Sequence, residues 1–385
     1  MRILSIETSC DETSVAIVEF SGSKTRPVQK TLSHSVSSQI KIHAPFGGVV
    51  PNLAKREHQK NLVPMLIHAL KEAELSDVQM TPLKKKKDTE EREKTLATIF
   101  DHEPELLKLF TTHILNMPVP DLDAIAVTNG PGLAPALWVG INFARALSYC
   151  WDKPLIPVNH MAGHLYSAFL KEGVLEHFNF PLLALLVSGG HTEVVLMRGH
   201  GKWKIIGATV DDAVGEAFDK VARLLGIPYP GGPMLAALAE EGNAAHYPLP
   251  SPLINSPDYR FSFSGLKTAV LYLIRAMPPA QVKKNKADIA ASFQKAAVDV
   301  LVKKTVCAAK EYRVRMITLG GGVAANTRLR EHLTEAAHQE LPHVLLRFPP
   351  RGVTGDNALM IAAAAYFSGK KMAWTEVQAD ANKQL

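Results

Sequence analysis

Cysteine is scarce in this 385-residue chain: only Cys10, Cys150 and Cys307, far apart. That spacing excludes a disulfide framework and a thiolate zinc cluster, and it predicts a reduced, cytoplasmic setting. No apolar run approaches the roughly 20 residues of a membrane span. The start, Met1-Arg2-Ile3-Leu4-Ser5-Ile6, reads as a buried strand and lacks the segments of a secretion signal. A disorder-type composition is absent too, since 46% of residues are hydrophobic and 21% charged, enough for two well-filled cores. Charge is not one-sided: 43 Lys and Arg against 37 Asp and Glu give +6, which permits a polyanionic partner without requiring one.

What is present begins with Asn159-His160-Met161-Ala162-Gly163-His164. Histidines four apart on a helix stack on one face, a half-site for a divalent transition metal that a carboxylate or water could complete. The other reading is two imidazoles packing or capping a helix end. The spacers contain no Glu, so His-Glu-x-x-His, with its general base, is missing and a metalloprotease is excluded. Asp356, in Gly355-Asp356-Asn357, is the candidate third ligand, although an Asp before the apolar run Leu359–Ala365 can equally cap a helix. Asp11 and Glu12 lie in a polar turn, where they can serve as a base, orient water or satisfy turn amides.

A pattern appears twice. Ile3–Thr8, the turn Ser9–Thr13 and Val15–Val18 read as strand, Ser-x-x-x-Thr turn and strand; Leu182–Val187, Ser188–Thr192 and Val194–Met197 repeat it. Asp123–Val127 then runs into Thr128–Gly132 and a helix, as Met316–Leu319 runs into Gly320–Asn326 and a helix. Strand, Gly turn and helix aim amides and a helix N-terminus at an anion. The expected fold is therefore α/β: a duplicated, actin-like, ribonuclease H-like pair of lobes with a cleft between them. Crossover helices are predicted at 52–75, 134–150, 288–311 and 326–340, with a further helix over Asp212–Leu225. The first lobe is expected over 1–157 and the second over 158–385, its last helix packing back on the first.

Residues 76–120 interrupt the first lobe with Lys84–Lys87, a mixed charge run and a helix near Glu105–Leu115. Such a run reads as solvated, or as an arm contacting nucleic acid. Phe261-Ser262-Phe263-Ser264-Gly265-Leu266-Lys267 reads either as a buried strand leading to a helix or as a Lys placed near phosphate or RNA.

Together these segments resemble the tRNA threonylcarbamoyladenosine transferase family. The matching motifs include Ile6–Thr13, Gly47–Pro51, Gly130–Leu133, His160–His164, Leu186–Thr192, Gly215–Lys220, Tyr229–Pro233, Phe261–Thr268, Gly321–Asn326 and Asp356-Asn357. The resemblance implies transfer of threonylcarbamoyl from threonylcarbamoyl-AMP to N6 of adenosine 37 in tRNAs reading codons that begin with A. It implies a metal, Fe2+ or alternatively Zn2+, on His160, His164 and Asp356. Leu186, Val187, Ser188, Gly189 and Gly190 would form a substrate loop, with Asp219, Gly232 and Asn326 on the nucleoside, and Glu12 or Asp11 would assist proton removal. The implied partners are tRNA, a paralogous actin-like subunit and a P-loop ATPase, with no membrane. An actin-like ATPase or a non-catalytic scaffold would share the fold, but a scaffold would be expected to lose the metal residues. Ala134-Pro135, Gly355 and the 76–120 segment depart from the usual family pattern.

Overall fold

The stretch Arg2–Glu7, with Ile3, Leu4 and Ile6 buried, forms β1, and Glu12–Ser23 returns antiparallel as β2, with Glu7 opposite Ser14. β3 (Arg26–Ser38) extends the hairpin; β4 (Ala124–Gly130) and β5 (Leu155–Asn159) add in parallel on the other side of β1, and β6 (Gly173–Val174) closes the far edge. The order is β5-β4-β1-β2-β3-β6. Parallel neighbours need a long crossover. The helices Pro51–Glu72 and Ala134–Trp151 lie in the connections from β3 to β4 and from β4 to β5.

The second sheet repeats this plan. β7 (Leu182–Val187) and β8 (Thr192–Gly199) form the hairpin, β9 (Lys202–Ala208) extends it, and β10 (Met316–Gly320) and β11 (Leu345–Arg347) add in parallel. Its order, β11-β10-β7-β8-β9, matches the first sheet strand for strand apart from β6. This is the duplicated actin-like α/β fold that the paired motifs predict. The crossover helices also appear, Lys286–Glu311 and Thr327–Glu340 among them.

The computed structural model describes residues 1–23, 26–75, 89–170, 173–174 and 178–385. The chain divides into one compact unit of Met1–His177 with Asp356–Leu385 and another of Phe178–Gly355. The division thus falls at 177/178 instead of 157/158. The physical reason is local: the helix His160–Ser167 leaves β5 directly and packs against Ala358–Ser368, within the first unit. Ala358–Ser368 is apolar on all sides and almost wholly buried, as a helix without a solvent face must be.

The 76–120 interruption needs a correction. Lys84–Lys87 lies outside the described residues, but Thr89–Ile99 and Pro104–His113 are helices. Their Leu96, Ile99, Leu106 and Phe110 are buried in the first unit's core, with the Phe110 ring edge-on to Phe143 at 6.0 Å. Apolar residues at helical spacing outweigh the charged residues between them.

Candidate functional site

Asn159 ends β5 and caps the next helix, its Oδ1 accepting from the amides of Met161 (2.8 Å) and Ala162 (3.1 Å). That cap starts the helix at His160, so His160 and His164 project one turn apart on the same face. Between them Gly163 permits close packing: a Cβ there would stand 2.9 Å from Met360 Cγ and 3.1 Å from Ile361 Cδ1. The facing helix is held by buried serines of the first sheet. Ser14 Oγ accepts from the Ala358 amide (2.9 Å), and Ser5 Oγ donates to the Ala358 carbonyl (2.7 Å). Asp356 is not that helix's cap; Asn357 is, accepting from Met360 N–H at 3.0 Å. The Asp356 carboxylate is thereby left to face the histidines.

Asp356 Oδ1 lies 3.3 Å from His160 Nε2 and 3.2 Å from His164 Nε2. One ligand atom from each of the three residues falls within a cluster 4.8 Å across. These separations exceed the 2.7–2.9 Å of a charge-assisted hydrogen bond. They lie near the edges, about 3.0–3.4 Å, that metal bonds of about 2.1 Å produce. Among the described residues neither buried His164 nitrogen has a hydrogen-bond partner, a costly state that a bound cation would relieve at Nε2. The donor set therefore fits a divalent metal.

Burial opposes charge throughout this site. Even so, Asp356 and Glu7 on either side of His160 hold its imidazolium well above the usual range, and burial pushes His164 down. Burial opposes the charge on Asp356 as well, but His160 and His164 hold its carboxyl far below the ordinary value. Burial, reinforced by Asp356, Asp11 and Glu7, pushes Glu12 up to about 10. Glu12 therefore carries a proton at neutral pH.

The second unit contains a separate pocket of about 400 Å³. It gathers Gly189, Asp219, Gly232 and Asn326 from the expected set, with Phe218 and Pro233 among its walls. Asp219 Oδ1 accepts from the Gly232 amide at 2.8 Å, which orients the carboxylate along the loop. Asn326 Oδ1 caps the helix Thr327–Glu340 through Leu329 N–H (2.8 Å), while its Nδ2 donates to Gln294 (2.8 Å). Gly321 makes the adjoining turn possible, with φ +89° and a would-be Cβ 2.3 Å from the Val187 carbonyl.

Other expected residues fall elsewhere. Leu186 and Val187 are fully buried in β7, so their side chains face the core; Gly189 alone of Ser188–Gly190 lines the pocket. The turn Gly130–Gly132, expected to receive an anion, is covered by the chain itself: Gly132 N–H donates to Ala381 O (3.2 Å), and Asp380 N–H donates to Asn129 O (2.8 Å). The N-terminus of the helix Ser264–Arg275 is likewise occupied, since Asp211 accepts from Phe263 N–H (2.8 Å) and from the hydroxyls of Ser262 (2.5 Å) and Ser264 (2.6 Å). Phe261 and Phe263 are buried, which favours the strand-and-helix reading of that motif.

Sequence reasoning missed Glu7, which it placed in a strand. Its carboxylate is wholly buried, and Oε2 accepts from His160 Nδ1–H at 3.0 Å. The available signal was a carboxylate ending a mostly buried strand, directly after Ile6. Ser9 Oγ also lies 3.2 Å from His160 Nδ1.

A family model described as tRNA N6-adenosine threonylcarbamoyltransferase matches residues 30–81 and 104–363. Curated relatives carry the same description. The one from Thermomicrobium roseum is 40% identical, covering 100% of this chain and 96% of its own length. That of Moorella thermoacetica is 44% identical, covering 95% and 91%, and that of Bacillus subtilis 42%, covering 96% and 91%. The match omits 82–103, so the departure from the family pattern is shorter than 76–120.

Proposed function

The chain belongs to the tRNA N6-adenosine threonylcarbamoyltransferase family and modifies tRNA, and from that premise we propose how its residues divide the reaction. The donor is threonylcarbamoyl-AMP and the acceptor is N6 of adenosine 37 in tRNAs reading codons that begin with A. The carrying observation is the buried cluster of His160, His164 and Asp356. Two imidazoles and one carboxylate suit Fe2+, which the family resemblance implies, and accommodate Zn2+. When bound, the metal supplies a Lewis acid that polarises the carbamoyl carbonyl.

The second unit's pocket receives the adenylate part, with Asp219, Gly232 and Asn326 on the nucleoside and Gly189 beside it; Ser188 and Gly190 hold the turn, and Leu186 and Val187 anchor it from β7. In the transfer, N6 attacks the carbamoyl carbon, the bond from that carbon to the phosphate oxygen breaks, and AMP departs. Because the mixed anhydride is already activated, the protein's task is orientation and charge stabilisation. The N6 proton passes to the Asp11–Glu12 pair, with Asp11 accepting while Glu12 retains its own proton. Proposed protein partners are a paralogous actin-like subunit and a P-loop ATPase.

The test incubates metal-loaded protein with synthetic threonylcarbamoyl-AMP and unmodified tRNA, followed by mass analysis of the nucleosides. Wild type is expected to produce the modified adenosine, and His160→Ala or His164→Ala to lose at least about 100-fold in rate, the scale of one strong transition-state contact. Unimpaired transfer by both variants would sink the role assigned to the cluster.

A further inference from the structure

Glu7 is the last residue of β1, fully buried, and of the cluster's three members it hydrogen-bonds His160. Its hydrogen bonds are complete. Oε1 accepts from Ser9 N–H (2.5 Å), and Oε2 accepts from Thr128 Oγ1–H (2.6 Å) and from His160 Nδ1–H (3.0 Å). Three donors converge on two oxygens, so this side chain acts as an acceptor only, which is the chemistry of a carboxylate. Thr128 lies in β4, the strand parallel to β1, so the sheet itself sets the carboxylate's position.

We propose that Glu7 is a positioning residue for the metal, fixing His160 with its proton on Nδ1 and its Nε2 lone pair turned towards Asp356 and His164. The proposal rests on the metal reading of that cluster. An imidazole has two nitrogens, and a hydrogen bond at one decides which is free to ligate. Glu7 supplies that bond from a strand, a support stiffer than a loop. The two histidines differ in this respect: among the described residues His164 Nδ1 has no hydrogen-bond partner, whereas His160 is locked from behind. Glu7 also adds a second buried negative charge close to Asp356, which favours a cation between the ligands.

The experiment titrates Co2+ and Zn2+ into the full chain and follows the visible Co2+ bands, with 15N shifts of the histidines read in the Zn2+-loaded protein. Glu7→Gln keeps the volume but turns an NH2 group towards one of the three donors. We expect its affinity for both metals to fall 10–100-fold, the Co2+ bands to shift, and His160 to lose its single Nδ1–H signature. Thr128→Val serves as the second variant should Glu7→Gln fail to fold. It removes one donor and leaves the carboxylate, and a three- to tenfold weakening is expected. Glu7→Gln or Thr128→Val with wild-type affinity and wild-type Co2+ bands overturns the proposal. Failure of the metal reading looks different: wild type takes up no Co2+, or His160→Ala takes it up unchanged.

Discussion

His58 holds the Cys10–Thr13 turn from behind. Its Nε2–H donates to the Cys10 carbonyl at 3.0 Å, so Nδ1 must accept, from Thr13 Oγ1 at 2.8 Å and Gln39 Nε2 at 3.3 Å. That arrangement requires a neutral ring, and burial pushes His58 down to about 4. Because the unfolded chain takes up this proton near pH 6.5, the contribution to stability is complete above pH 6.5 and is lost as pH falls towards 4. Wild type should lose about 2 kcal/mol between pH 7.5 and pH 5 that His58→Gln does not lose, the size set by a shift of this magnitude. Urea unfolding of both proteins at the two pH values measures it, and equal acid losses would contradict the account.

Among the elements, the helix His160–Ser167 depends most on its neighbours. Asn159 begins it, Gly163 lets it approach Met360, and the segment after Trp374 braces its start, with Asn159 Nδ2 donating to Gln384 O at 3.1 Å. Lys383 Nζ reaches Asn129 Oδ1 at 2.8 Å at the end of β4. Gly163→Val should cost about 1–3 kcal/mol by overpacking and weaken Co2+ binding by separating the histidines from Asp356. Asn159→Ala should cost only about 1 kcal/mol for the lost cap. Thermal unfolding and Co2+ titration compare the two, and a larger metal defect in Asn159→Ala would reverse the order argued here. Gly163 was visible in the sequence as a spacer, but its packing role was not, because the opposing helix lies almost 200 residues further along the chain.

At the scale of the whole molecule, the two units are built differently. Phe178–Gly355 is continuous and has its own core, in which Phe218 meets Phe293 edge-on at 5.0 Å. The first unit is split and takes Ala358–Ser368 into its interior. A fragment of 178–355 should unfold cooperatively on its own and bind AMP. A fragment of 1–177 should not fold, because burial of Met360, Ile361 and Phe367 alone is worth about 5–9 kcal/mol, comparable to a domain's whole stability. Circular dichroism melts of the two fragments, with AMP titrated into the first, distinguish these outcomes.

By itself the sequence determined the repeated hairpins, the crossover helices, the glycine turns and the three side chains able to ligate a metal. Each is a matter of local periodicity and residue chemistry, so it is readable within a short window. The tertiary structure alone decided which glycine turn stays open, since the Gly132 amide meets a carbonyl about 250 residues away while Gly322 lines a pocket. It also decided that Glu7 stands behind His160 and that Glu12 keeps its proton. Charge state and hydrogen-bond partnership depend on burial and on neighbours distant in the chain, and neither is written in local spacing.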